Sequence, residues 1–287
     1  MLRNINSKRQ TRVLAIHDIS CIGKCSITAA LPILSAAGIE TAVLPTAILS
    51  PHTGGFTGYT FRDLTDDIMP IINHWEKEKI DFDAVYTGYL GSFEQINIMK
   101  KIFSLYKAKG ALIAVDPVMG DNGRLYSAFD ESFPRGMREL CAYADIITPN
   151  ITEALLMLGE PYKEGPYERE YIERMIKKLS DMCEGKKTVL TGVYFDERKL
   201  GAATYDGCTD KVEYSFAEKI EGMYHGTGDV FASAFLASLL NGNSMKKSAD
   251  TAVSFVTEAI KQTLRLKQDR YYGVNFEAAI PSLLKNI

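Results

Sequence analysis

The sequence predicts an α/β protein, a three-layer α/β/α sandwich around a mostly parallel central sheet. Three observations carry this. Short apolar, β-prone runs alternate along the whole chain with long amphipathic helical patterns, and such alternation builds a parallel sheet with helices on both faces, joined by right-handed crossovers. Clusters of polar residues recur directly after the strand-like runs, where open parallel sheets bind their ligands. The 287 residues, 46% hydrophobic and 24% charged, match an ordinary globule with one core. We therefore read residues 1–287 as a single domain, with residues 1–11 a flexible N-terminal extension.

Taken in order, Arg12 to His17 is a β-prone run, and after a glycine-containing loop Ser26 to Ala37 forms a helix stopped by Gly38. Asp18 falls at the end of this first strand, where it either caps the loop or touches a ligand. Thr41 to Leu49 is a second apolar run. It leads into Ser50 to Tyr59, rich in glycine, hydroxyls and aromatics, which suits a mobile loop or a hairpin covering a site. A helix over Asp63 to Lys79 precedes the short strand Ala84 to Thr87, which ends in Gly88-Tyr89-Leu90-Gly91.

The helix Glu94 to Lys109 and the strand Ala111 to Val115 repeat the unit, and Pro117 ends that strand directly after Asp116. Asp116 either caps its loop or handles a metal or phosphate. Phe133 to Tyr143 is helical, Ile146 and Ile147 open another strand, and Thr148-Pro149-Asn150 runs into a helix carrying Glu153. Glu168 to Met182 is helical and Thr188 to Leu190 is a strand reaching Thr191. Leu200 to Tyr205 and Lys211 to Phe216 pair as a hairpin turning at Asp206-Gly207. Two helices, over Lys246 to Arg265 and Phe276 to Leu284, close the chain.

The stretch on which a function turns is Gly226-Thr227-Gly228-Asp229, because an apolar helical pattern starts at Val230 and continues through Phe231, Phe235, Leu236, Leu239 and Leu240. A helix start leaves backbone N–H groups without partners and carries partial positive charge, so these residues can form an anion hole with a carboxylate beside it. That pairing suits phosphoryl transfer to an alcohol. Read alone, the four residues fit a plain loop and helix start better. The dipole of the helix predicts a lowered pKa for Asp229.

Composition excludes several classes. A net charge of −3 offers no basic excess for nucleic acid or acidic lipid, so small molecules are the expected partners. No stretch approaches the ~18 apolar residues of a membrane span, and no secretory signal is visible, which points to the cytoplasm. The five cysteines form no Cys-x-x-Cys pair and read as reduced thiols. Gly23-Lys24 does not complete a nucleotide P-loop, since Asp18 and Cys25 stand where that motif needs glycine and a hydroxyl. No Gly-x-Gly-x-x-Gly follows a strand, which excludes a dinucleotide-binding oxidoreductase.

Strands ending in Asp18, Tyr89, Asp116, Asn150 and Thr191 can share one sheet edge with the Gly226 to Asp229 helix start. A nucleoside triphosphate bound there needs a magnesium ion with oxygen ligands, which Asp116 and Glu153 can supply directly or through water, and donors such as Asn150, Thr191 and Thr227.

Together, Gly226-Thr227-Gly228-Asp229, Asp116 to Asp121, Thr148-Pro149-Asn150 with Glu153, Thr87 to Gly91, and His52-Thr53-Gly54 resemble the ribokinase-like superfamily and, within it, the pyridoxal kinases. The resemblance spans about Val13 to the helix after Asp229. It implies ATP-dependent phosphorylation of the 5′-hydroxymethyl group of pyridoxal, pyridoxine or pyridoxamine by a homodimer, with Mg²⁺ and often a monovalent cation such as K⁺. It further implies Asp229 as catalytic base with Gly226, Thr227 and Gly228 as anion hole, and Asp116 and Glu153 as metal-handling carboxylates. By the same resemblance Asn150, Thr191 and Thr227 contact nucleotide, Asp121 and Tyr126 form a flap over the phosphates, and Asp18, His52, Thr53 and Tyr89 line the substrate pocket with Asp229.

Two positions bear on the acceptor. Many pyridoxal kinases have serine where this chain has Asp18, so its vitamer preference is open. The relative that phosphorylates hydroxymethylpyrimidine often has cysteine where Asp229 stands, so Asp229 favours the pyridoxal branch. The alternatives are a hydroxymethylpyrimidine or sugar kinase of the same superfamily, and a non-catalytic vitamer-binding protein.

Overall fold

A computed structural model describes residues 9–54, 56–183, 187–268 and 270–287. Chain order gives β1 (Arg12–Ser20), α1 (Ile27–Ala36), β2 (Glu40–Leu49), β3 (Phe61–Asp63), α2 (Thr65–Lys77), β4 (Ala84–Thr87), α3 (Phe93–Ala108) and β5 (Leu112–Val115). The ribbon β6 (Gly120–Asp121) and β7 (Arg124–Leu125) follows, then α4 (Phe133–Cys141), β8 (Ile146–Ile147), α5 (Ile151–Leu158), α6 (Arg169–Met182) and β9 (Lys187–Val193). The chain closes with β10 (Lys199–Asp206), β11 (Lys211–Glu218), α7 (Thr227–Leu240), α8 (Met245–Arg265) and α9 (Ile280–Leu284).

One nine-stranded sheet runs β11-β10-β9-β8-β5-β4-β1-β2-β3. The strands from β9 to β2 in that order pair in parallel, and antiparallel partners close both ends, β10 on β9 and β3 on β2. The α/β sandwich expected from the sequence is therefore the fold. Parallel strands buried on both faces must be apolar at successive positions. Leu14, Ile16, Val85, Ile113 and Val115 pack toward α2 to α6, while Val13, Ala15, Tyr86 and Ala114 pack toward α1 and α7. Among the described residues no helix is long and apolar enough to cross a membrane.

Several boundaries differ from the sequence reading. β1 continues past His17 to Ser20, with an irregularity in its register on β2 between His17 and Ile19, so Asp18 sits inside a strand and not after it. Hydrogen bonding to β2 on both sides of the kink sustains a strand through polar residues that propensity alone ends. β9 likewise runs through Thr191 to Val193, because β10 pairs along it. The segment expected as one helix from Phe276 is a 3₁₀ turn over Glu277–Ala279 followed by α9, where Pro281 occupies the first turn without an N–H to give.

Of the extension expected over residues 1–11, residues 1–8 lie outside the described residues. Residues 9–11 are tied down: Arg9 pairs with Asp83 at 2.9 Å, the Gln10 amide donates to the Gly38 carbonyl at 2.8 Å, and Glu40 N–H donates to the Thr11 carbonyl at 2.9 Å.

Candidate active site

The polar clusters do gather at one end of the sheet. Gly226 enters α7 in the left-handed region, φ 74°, and a Cβ there would stand 2.1 Å from the Lys24 carbonyl, so only glycine can make this turn. The first helical bond runs from Val230 N–H to the Gly226 carbonyl at 3.0 Å. The N–H groups of Thr227, Gly228 and Asp229 therefore have no acceptor within the helix. A Cβ built on Gly228 meets nothing within 4 Å, so the approach to these amides is open.

Asp229 is half-buried at this helix start, where the backbone N–H of Ser26 donates to it. Its pKa is pushed up to about 7, first by burial and then by the charge of Asp18. This corrects the lowered value expected from the helix dipole: the loss of solvent around the carboxylate outweighs the dipole and the Ser26 amide together. A carboxyl group with this pKa is a competent proton acceptor near neutral pH.

Asp18 is 4% exposed; Ser20 donates its hydroxyl to Oδ2 at 3.3 Å, and Oδ1 has no protein partner. Burial raises its pKa, and the hydroxyls of Ser26 and Ser20 work in the opposite direction. Tyr89 lies within electrostatic reach of Asp18 and Tyr59, and burial pushes its pKa up to about 12. Its ring packs 5.5 Å from that of Phe129.

Asp116 follows β5 and is 5% exposed; burial raises its pKa well above the carboxylate range, and the charge of Asp229 adds to this. Glu153 is 3% exposed and raised for the same reason, with Asp116 as its nearest repelling charge. Its oxygens have backbone partners, however. Oε1 accepts from Met119 N–H at 3.1 Å and Oε2 from Asn150 N–H at 2.9 Å, the latter half of a capping box on α5. Among the described residues no group of three or more His, Cys, Asp or Glu is arranged to cage a metal. The donor set fits Mg²⁺, which takes one or two carboxylates and completes its shell with phosphate oxygens and water.

Asn150 is equally engaged, its Oδ1 accepting from Glu153 N–H and its Nδ2 donating to the Gly120 carbonyl, both at 2.9 Å. It thereby holds the β6–β7 ribbon beside α5, and an isolated parallel bridge sets it against Thr191. Asp121 accepts from the Asn122 backbone and side chain at 2.8 and 3.1 Å. Tyr126 leads out of the ribbon, its hydroxyl within electrostatic reach of Glu153, Asp121, Asp229 and Asp116, and its pKa is raised by burial and by these four charges. His52 is buried with both ring nitrogens occupied by backbone groups, while Thr53 is exposed.

The sequence reading missed three residues. Ser26, at φ 54°, reaches both Asp18 and Asp229. Tyr86 lies beneath Asp116 and Asp229, its hydroxyl 3.4 Å from Ser233. His225 faces Asp121 and His52. Only His225 carried a signal, its place directly before Gly226. Lys24, whose P-loop role was rejected, donates to Glu277 at 2.6 Å and to Asn275 at 3.3 Å.

The family model for phosphomethylpyrimidine kinase matches residues 23–274. The pyridoxine kinase of Bacillus subtilis is 29% identical over 205 residues, covering 70% of this chain and 71% of its own. The hydroxymethylpyrimidine/phosphomethylpyrimidine kinase of Aquifex aeolicus is 31% identical over 210 residues, 70% of this chain and 78% of its own. Among solved structures, a Bacteroides thetaiotaomicron protein described as a phosphomethylpyrimidine kinase and crystallised with pyridoxal superposes with a TM-score of 0.90 at 37% identity, covering 96% of each chain. The pyridoxal kinase of Lactobacillus plantarum superposes with a TM-score of 0.85 at 31% identity, covering 96% of this chain and 97% of that one.

Proposed function

The chain belongs to the phosphomethylpyrimidine kinase family, and from that premise we propose that it is a pyridoxal kinase, transferring the γ-phosphoryl group of ATP to the 5′-hydroxymethyl group of pyridoxal, pyridoxine or pyridoxamine. The observation that carries this reading is the open helix start at Thr227 to Asp229 beside a carboxyl group of pKa about 7. Anion hole and proton acceptor stand side by side, which is what transfer to an alcohol requires.

In this reading the vitamer hydroxyl lies against Asp229, with the ring bounded by Asp18 and Tyr89 and by the His52-Thr53 loop. Asp229 orients the hydroxyl and accepts its proton as the new O–P bond forms and the bond from phosphorus to the departing ADP oxygen breaks. The amides of Thr227, Gly228 and Asp229 hold the migrating phosphoryl group. Asn150, Thr191, Thr227, Asp121 and Tyr126 form the nucleotide side, the β6–β7 ribbon covering the phosphates.

Mg²⁺ would be held by Asp116, with Glu153 acting through the groups it braces, and when bound it neutralises phosphate charge. A monovalent cation such as K⁺ and homodimeric assembly belong to the same proposal, supported by the resemblance of the motifs, and residence in the cytoplasm belongs to it on the sequence expectation alone. The single-domain organisation does too, supported by one sheet that takes strands from β1 at Arg12–Ser20 to β11 at Lys211–Glu218.

The test is a coupled assay of ADP release from ATP with purified protein and a panel of alcohols. Turnover of B6 vitamers is the expected outcome. Turnover of hydroxymethylpyrimidine or a sugar with none on any vitamer would replace the reading. The Aquifex relative makes hydroxymethylpyrimidine the alternative to include, although Asp229 favours the vitamer.

A further inference from the structure

His52 follows β2 and is 6% exposed at the meeting point of three loops that are remote in sequence. Its Nε2 lies 2.6 Å from the Tyr271 carbonyl, which can only accept, so Nε2 carries the proton. Gly54 N–H donates to Nδ1 at 3.1 Å, so Nδ1 carries none. The two backbone partners together fix one neutral tautomer, and burial together with the neighbouring His225 favours the neutral ring by lowering its pKa.

The ring is also packed from every side. Gly23 approaches so closely that a Cβ would lie 2.4 Å from the His52 Cδ2. Phe56 meets the ring edge-on at 5.1 Å and itself packs 5.7 Å from Tyr272. His225, the residue before the anion hole, lies 5.6 Å from His52 and stacks at 6.1 Å on Tyr271. The Tyr271 to Gly273 turn is in turn bound to the first loop by Lys24 N–H donating to the Tyr272 carbonyl at 2.8 Å.

We propose that His52 is a positioning residue, a clasp that ties the β2–β3 loop and the 271–273 turn to the start of α7, and thereby holds the closed substrate pocket beside Asp229. The inference rests on the kinase reading for its consequence but not for its geometry. The resemblance of the motifs implies a substrate contact at this position; a ring whose nitrogens are both committed to backbone groups offers no hydrogen bond to a substrate without breaking the clasp. His52 acts through the loops it joins, so its loss affects pocket formation more than the chemical step.

The test compares the protein with His52→Ala and with His52→Gln, which retains a donor for the Tyr271 carbonyl. Hydrogen exchange on the ligand-free proteins reads the clasp directly. In His52→Ala, exchange rises together in residues 56–60 and in residues 270–275, and His52→Gln restores the second segment in part. The vitamer KM rises about tenfold with kcat within about threefold, the scale of one lost buried hydrogen bond.

Unchanged exchange at 270–275 in His52→Ala, or a loss confined to kcat, overturns the proposal. Nitrogen-15 resonances of the His52 ring in the unsubstituted protein provide a readout that needs no variant: protonated Nε2 with bare Nδ1 is expected, and the opposite tautomer or an imidazolium at neutral pH overturns it. If no vitamer turns over while the exchange coupling stands, the kinase reading fails and the clasp survives.

Discussion

Asp18 and Asp229 share Ser26: its hydroxyl faces the first carboxylate and its backbone N–H donates to the second. Each carboxylate raises the proton affinity of its surroundings, and Ser26 moderates both. The protonation of Asp229 is thus electrically linked to Asp18.

Asp229→Asn removes the proton acceptor but keeps the shape. We expect kcat to fall about 10²- to 10⁴-fold, the range for a positioned general base, with ATP affinity little changed. Steady-state kinetics with equilibrium nucleotide binding checks this, and turnover like that of the unsubstituted protein would refute the role of Asp229.

The pKa of about 7 at Asp229 sets a pH dependence. The base form exists above that value, so kcat/KM rises with pH through about 7 and then levels. Stability moves the other way. The folded carboxyl holds a proton between the ordinary value of 3.8 and about 7 that the unfolded chain has lost, so this group's contribution to stability declines as pH rises through that window. Asp229→Asn cannot undergo that loss, and its Tm should exceed that of the unsubstituted protein at pH 8 by about 2–4 °C per kcal/mol relieved, with the gap closing toward pH 4. Calorimetry at two pH values decides it.

Gly226→Ala must place a methyl group against the Lys24 carbonyl and hold a left-handed φ. The conformational strain alone costs about 1–3 kcal/mol. We expect a lowered Tm and turnover near background, while Gly38→Ala, at a positive φ with open space, loses stability but keeps activity. Equal activity in the two variants would count against the anion hole.

Glu153→Ala unpairs two backbone amides, Met119 N–H and Asn150 N–H, at a cost of about 1–3 kcal/mol each where they are buried. Chemical denaturation measures that loss. Chelation of divalent cations should abolish turnover in the unsubstituted protein while leaving its thermal stability in place, because Glu153 is held by the Met119 and Asn150 amides.

Asp18→Ser replaces a buried carboxylate carrying one bare oxygen with a hydroxyl. Relative kcat/KM among pyridoxal, pyridoxine and pyridoxamine should change by about tenfold, the worth of one altered polar contact. An unchanged ranking would remove Asp18 from the specificity pocket.

The strands and helices were legible because period and punctuation are local: Val13 to Ile16 and Ile113 to Val115 are short apolar runs between helical patterns, and both are buried strands. The open helix start was legible too, since Gly226, Thr227 and Gly228 adjoin Asp229 in sequence. What could not be read were effects that depend on neighbours brought from afar. The raised pKa of Asp229 comes from burial and from Asp18, and the Ser26 link requires a left-handed backbone at a residue that rarely adopts one. Glu153 looked like a free carboxylate because capping and metal handling demand the same residue after the same strand. The engagement of His52 with Tyr271 could not be read, because the two stand 219 positions apart.

The bond from Lys24 to Glu277 joins residues 253 positions apart, and the neighbouring Lys24 to Tyr272 pairing completes the loop that covers Gly226. A ribosome that has already made Gly226 to Asp229 has therefore not yet made the wall behind them. A chain that stops after α7 would carry Gly226 to Asp229 without the Tyr271 to Glu277 segment that bonds to Lys24.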